Sequence, residues 1–79
     1  MLTGLQIRTA RKLLGLRPYE MAERARLAVT TIRRAERAEG EAPITMAQEN
    51  KIRRVLVVAG VEFTNGDQPG VKLKRKPEQ

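Results

Sequence analysis

The chain has no cysteine, no histidine and no tryptophan, and only one tyrosine and one phenylalanine among 79 residues. Without cysteine there is no disulfide framework, no thiolate nucleophile and no cysteine zinc site. Without histidine there is no imidazole base and no imidazole metal ligand. General acid–base work would fall to Glu, a single Asp, Lys and Tyr, in a chain too short to enclose a deep pocket. The expectation is therefore a non-enzyme with no metal and no cofactor. Long apolar runs are also missing. The longest, Val55 to Val61 with Gly60 inside it, falls far short of the ~20 residues that span a bilayer. Met1-Leu2-Thr3-Gly4 offers neither a basic n-region nor an apolar h-region, so no signal peptide is expected and the chain reads as cytoplasmic.

What is present is positive charge. Sixteen Lys and Arg against nine acids give +7 and an isoelectric point near 10.9. Eleven of the sixteen are Arg, whose planar fork suits phosphates and guanine edges. The excess is uneven. Residues 1–37 hold nine basic residues and three acids, a net of +6, whereas residues 38–70 hold three and five, a net of −2. The last nine residues return to +3. A strongly basic first half points to nucleic acid as partner, although basic segments also serve solubility alone.

Hydrophobic residues make up 41% of the chain, enough for one small aliphatic core. Thr3 and Gln6 form a capping box, Ile7, Ala10 and Leu14 follow at helical spacing, and Gly15 is a stop; a first helix is expected over about 4–14. Pro18 suits the first turn of a short second helix, 18–25, with Met21, Ala22 and Ala25 as its apolar stripe. After a break at 26–28, a third helix over about 29–37 places Ile32 and Ala35 inward. It throws Val29, Thr30, Arg33, Arg34 and Arg37 outward. A loop at 38–43 precedes a second capping box, Thr45 with Gln48, and a fourth helix running to Gly60 around Ile52, Val55, Leu56 and Ala59. Alternation in 61–64 and 71–74 about the Asn65-Gly66 turn signal predicts a β-hairpin with a connection of 65–70. Residues 76–79 should fray.

Two short helices joined by a tight turn within a basic half have the outline of a helix-turn-helix. The stretch from Met21 to Arg37 resembles the XRE family, the lambda-repressor/Cro type of helix-turn-helix protein. Met21 and Ala22 match its helix-two anchors, Ala25 its small residue, Thr31-Ile32 the middle of its recognition helix and Glu36 the acid that closes it. The resemblance runs from about Leu5 to Ala59. The tail, with Ala59-Gly60-Val61-Glu62-Phe63 and Gly70-Val71-Lys72-Leu73, looks like a subgroup of very short bacterial members ending in a hairpin. It implies a mainly α, four- to five-helix lambda-repressor-like DNA-binding domain over 1–60. A C-terminal hairpin over 61–75 and a disordered tail over 76–79 complete the expectation.

The resemblance implies major-groove DNA binding through Ala28, Val29, Thr30, Thr31, Arg33, Arg34 and Arg37, with Arg33 the foremost candidate for a guanine. Arg17 stands with Pro18 where the family carries Ser and Gln, and it is the candidate replacement phosphate contact. The family also implies a structural ion pair, Arg11 with Glu36, which orients the third helix. Arg26 occupies a turn position where the family has Gly, and Ala28 replaces its Ser or Thr cap, so Thr30 or Thr31 is an alternative cap. Arg8 and Lys12 are surface charge or phosphate contacts; Lys51, Arg53 and Arg54 read mainly as solubilising charge, with one phosphate contact from the start of helix four as the alternative.

Val57 and Val58 exceed what helix four needs for its own core. Together with Val61, Phe63, Val71 and Leu73 they form a candidate dimer surface, unless the hairpin folds back to cover them. A two-fold dimer would set two reading helices ~34 Å apart on a pseudopalindromic operator. The function expected is transcription regulation, by repression, in the cytoplasm at the nucleoid. RNA polymerase is a candidate partner if an exposed acid such as Glu39 or Glu41 touches it to activate. The other readings are a protein–protein device, an antitoxin or anti-activator with a toxin or an activator as partner, and a nonspecific nucleic-acid coater.

Overall fold

A computed structural model of the chain describes residues 1–64 and 70–74. Four helices precede two strands: α1 (Gly4–Leu13), α2 (Pro18–Ala25), α3 (Val29–Arg37), α4 (Met46–Val58), β1 (Val61–Thr64) and β2 (Gly70–Leu73). The chain is thus a small, mainly helical domain with a C-terminal antiparallel hairpin. Among the described residues, no helix is long and apolar enough to cross a membrane.

Local chemistry accounts for most boundaries. Thr3 and Thr45 each accept the N–H three residues on, and Gln6 and Gln48 return the favour to the cap N–H groups. At the end of α1, Gly15 takes φ +70°, and the N–H groups of Gly15 and Leu16 donate to Lys12 and Arg11 carbonyls. This is a Schellman closure with glycine at the left-handed position. α4 ends at Val58 rather than Gly60, and β2 starts at Gly70, one residue earlier than the alternation suggests. The Asn65-Gly66 turn signal and the 76–79 tail lie outside the described residues.

The core is aliphatic: Leu2, Ile7, Met21, Ile32, Ile52, Leu56 and Val61 are fully buried, with Ala10, Ala22, Ala25, Ala35 and Ala42 between them. Alanines where α2 meets α3 let the two helices approach closely. The N-terminal segment is held along the α3–α4 loop, Ala42 N–H donating to the Leu2 carbonyl at 3.0 Å and Gly4 N–H to the Gly40 carbonyl at 2.9 Å. Buried Glu49 of α4 accepts the Leu2 N–H at 3.1 Å and Arg53 Nη2 at 2.8 Å. Burial pushes the Glu49 carboxyl up, but the Arg53 and Leu2 hydrogen bonds and nearby positive charge prevail and hold it below its ordinary value near 4.5.

The hairpin pairs Val61 with Leu73, Glu62 with Lys72, Phe63 with Val71 and Thr64 with Gly70. β1 lies against α4 and β2 against α1. This corrects the expected dimer surface. Val61 is 1% exposed and belongs to the protein's own core, and Phe63 and Val71 are half-buried against it. The fold-back is nevertheless incomplete, because Val57, Val58 and Leu73 remain 48%, 81% and 36% exposed.

Candidate nucleic-acid interface

α2 and α3 are joined by three residues, and their geometry follows from one backbone conformation. Arg26 lies in the left-handed region, φ 59° and ψ 46°. Its N–H donates to the Glu23 carbonyl at 3.2 Å, and the Leu27 N–H reaches the Ala22 carbonyl at 2.9 Å. This repeats the closure seen at Gly15, with arginine in glycine's place, at a cost of about 1–2 kcal/mol. Leu27 then packs on the core and the chain turns into α3.

α3 starts at Val29 with Ala28 as its cap residue and no side-chain capping bond. The alternative of a Thr30 or Thr31 cap is therefore not adopted. The helix is divided by phase. Thr31, Ile32, Ala35 and Glu36 are buried, whereas Thr30, Arg33, Arg34 and Arg37 are exposed at spacings of three and four along one face. Two of the expected contact residues change status. Thr31 is 8% exposed and faces inward, one turn before Ala35. Val29 is half-buried and packs on the core rather than standing free. Ala28 and Arg17 are exposed.

Glu36, the one acid of α3, is turned away from the arginine face. Its carboxylate accepts Arg11 Nε at 2.7 Å and Nη2 at 2.9 Å, a bidentate pair with both side chains about nine-tenths buried. Arg11 Nη1 also donates to the Leu16 carbonyl at 2.8 Å, so the guanidinium is satisfied on three sides. Such a pair contributes little net stability, because desolvation offsets its attraction, but it sets where α3 lies relative to α1. Among the described residues Arg33, Arg34 and Arg37 make no ion pair. The exposed face of α3 thus carries three guanidinium groups free to donate, with two threonine-sized or smaller neighbours, Thr30 and Ala28, beside them. A helix ~10–12 Å across with its side chains matches a major groove ~12 Å wide.

Three supporting residues carry roles that sequence reading does not assign. Arg8, read as surface charge or a phosphate contact, donates from Nη1 to the Glu36 carbonyl at 3.1 Å and so caps the C-terminal end of α3. Its spacing of three from Arg11, on one face of α1, is the signal that could have linked the two. Gly4 lies against the last turn of α3, where an added Cβ would stand 2.5 Å from the carbonyl oxygens of Ala35 and Ala38. Gln6, besides its capping bond, donates to the Thr64 and Gly70 carbonyls at 3.4 and 3.2 Å and ties the hairpin to α1. No protein-family model matches the chain, and no curated protein matches it significantly.

Proposed function

We propose that the chain is a double-stranded-DNA-binding transcription regulator of the XRE, lambda-repressor/Cro-type class, reading the major groove with α3. The observation that carries this reading is the division of α3. Three arginines that make no ion pair among the described residues occupy one exposed face with Thr30, while its only acid is drawn inward to Arg11. A positive face of this kind attracts a phosphate-lined groove and offers bidentate donors to guanine. Occupancy alone blocks polymerase, so repression is the default mode. A homodimer supplies two such helices to a pseudopalindromic site, with Val57, Val58 and Leu73 as the apolar surface still open to a second copy.

The same exposed apolar surface favours a second reading, a protein that captures another protein as an antitoxin or anti-activator does. Fluorescence anisotropy with an inverted repeat from upstream of the protein's own gene, against a scrambled duplex, separates the two. The regulator binds the repeat at least ~1,000-fold more tightly than the scrambled sequence. Equal, salt-sensitive affinity for both duplexes would make the chain a nonspecific coater. Negligible affinity for either would leave the protein-capture reading.

A further inference from the structure

Between the C-terminal end of α2 and the middle of α4 lies an open cleft of about 470 Å3, which includes no residue of α3. Arg24, Arg26, Lys51 and Arg54 stand around it with the Asn50 amide, and no lining residue is acidic. Ala25 and Val55 complete its wall. Among the described residues, none of the four cations is ion-paired. Lys51 and Arg54, three apart, share one face of α4, whereas Arg24 and Arg26 arrive from the last turn of α2 and its closing residue. Like charges gathered round one concavity repel unless an anion sits among them. Arg26 adds a second, independent observation. It holds a left-handed conformation that Gly15 adopts without strain at the matching point after α1, so a cation is placed at this cleft at a conformational cost.

We infer that the cleft is a phosphoryl-binding site, separate from the α3 face. A phosphoryl group presents several acceptor oxygens within one small volume. Guanidinium forks engage them in pairs, an ammonium engages them as a point charge, and the Asn50 amide adds a neutral donor. Two sources carry that chemistry: the phosphodiester backbone of a nucleic acid and a free phosphorylated small molecule. The site stands whether or not α3 reads DNA.

The test is a titration of the 15N-labelled full chain with inorganic pyrophosphate at constant ionic strength. Saturable shift changes confined to Arg24, Arg26, Asn50, Lys51 and Arg54 are expected, with affinity falling about tenfold in Arg54→Ala and in Arg26→Gly. Arg26→Gly is the sharper variant. It relieves the left-handed strain, so the protein should melt no lower than the parent, and weaker binding then reports the lost cation rather than lost folding. Arg33→Ala leaves pyrophosphate binding unchanged. Non-saturating shifts spread over all exposed Lys and Arg, and indifferent to Arg26→Gly, overturn the site. The salt dependence of binding to a random duplex names the source. A backbone phosphate in the cleft lowers the log–log slope by about two in the Arg26→Gly/Arg54→Ala double variant. An unchanged slope with pyrophosphate binding lost assigns a small molecule. A chain that binds pyrophosphate but no duplex keeps this site and loses the α3 reading.

Discussion

Gly4 and the Arg11–Glu36 pair hold α3 at its C-terminal end, and each does so through a different physical term. At Gly4 the term is steric: α1 meets the Ala35 and Ala38 carbonyls with no room for a methyl group. Gly4→Ala should therefore destabilise despite alanine's better helix propensity, by about 1–3 kcal/mol. A thermal melt should show a midpoint several degrees lower; an unchanged midpoint would mean that α1 and α3 slide apart freely. At Glu36 the term is electrostatic. Glu36→Ala strands a buried guanidinium, and about 3–5 kcal/mol of lost stability is expected. The Arg11→Met/Glu36→Leu double variant should recover most of it, because the pair's own net contribution is small. Urea denaturation of the two variants against the parent checks both expectations. Arg11 and Glu36 were legible as a pair through their family resemblance. Gly4 was not, since a glycine near a terminus carries no local mark of what will press on it.

α3 as an element is weak in isolation. Nine residues are fewer than a free helix needs, three of them (Val29, Thr30, Thr31) open the helix with β-branched side chains, and its cap residue offers no acceptor. Its order comes from outside: Ile32 and Ala35 in the core, Arg8 on the Glu36 carbonyl, and Arg11 on the Glu36 carboxylate. What a firmly held helix gains is a fixed direction for its exposed arginines. On the proposed DNA-reading role, Arg33→Ala should cost ~1–3 kcal/mol at one base position of the bound site and relax specificity there, read by anisotropy over single-base-substituted duplexes. Equal weakening on every duplex would reassign Arg33 to the phosphate backbone. The limits of α2 and α3 could be read from Pro18, the apolar stripe and the break at 26–28. The inward phase of Thr31 could not, because threonine is at home on either face and only its neighbours across the core decide.

For the whole molecule, Glu49 is the bond between the N-terminal segment and α4. Its carboxyl lies below the ordinary value near 4.5 in the folded protein. The stabilisation it supplies is therefore fully present above that value and is lost as pH falls through the lower, folded value. Melting midpoints followed downward from pH 6 should drop once pH passes below 4.5, and Glu49→Gln should flatten that part of the profile. A parallel decline in both proteins would place the acid sensitivity elsewhere. Truncation after Gly60 would remove Val61 from the core, so the proposed dimer surface is better probed by a point change. In Val58→Lys, whose parent side chain is four-fifths exposed, a shift from dimer to monomer in sedimentation would identify the interface.

Most helix limits, the two capping boxes, the glycine stop after α1 and the concentration of positive charge in the first half could be read along the chain, because the local signals depend on residues within about four positions of one another. The pairings that make a surface out of them span far more chain. Glu36 meets Arg11 across 25 positions, Leu2 meets Glu49 across 47, and Gln6 meets the Gly70 carbonyl across 64. Which side chains were spent inside, as Thr31 and Val61 are, and which stayed free, as Arg33 and Val58 do, was settled by packing. Burial is a property of the assembled core, and a residue's identity constrains it only loosely.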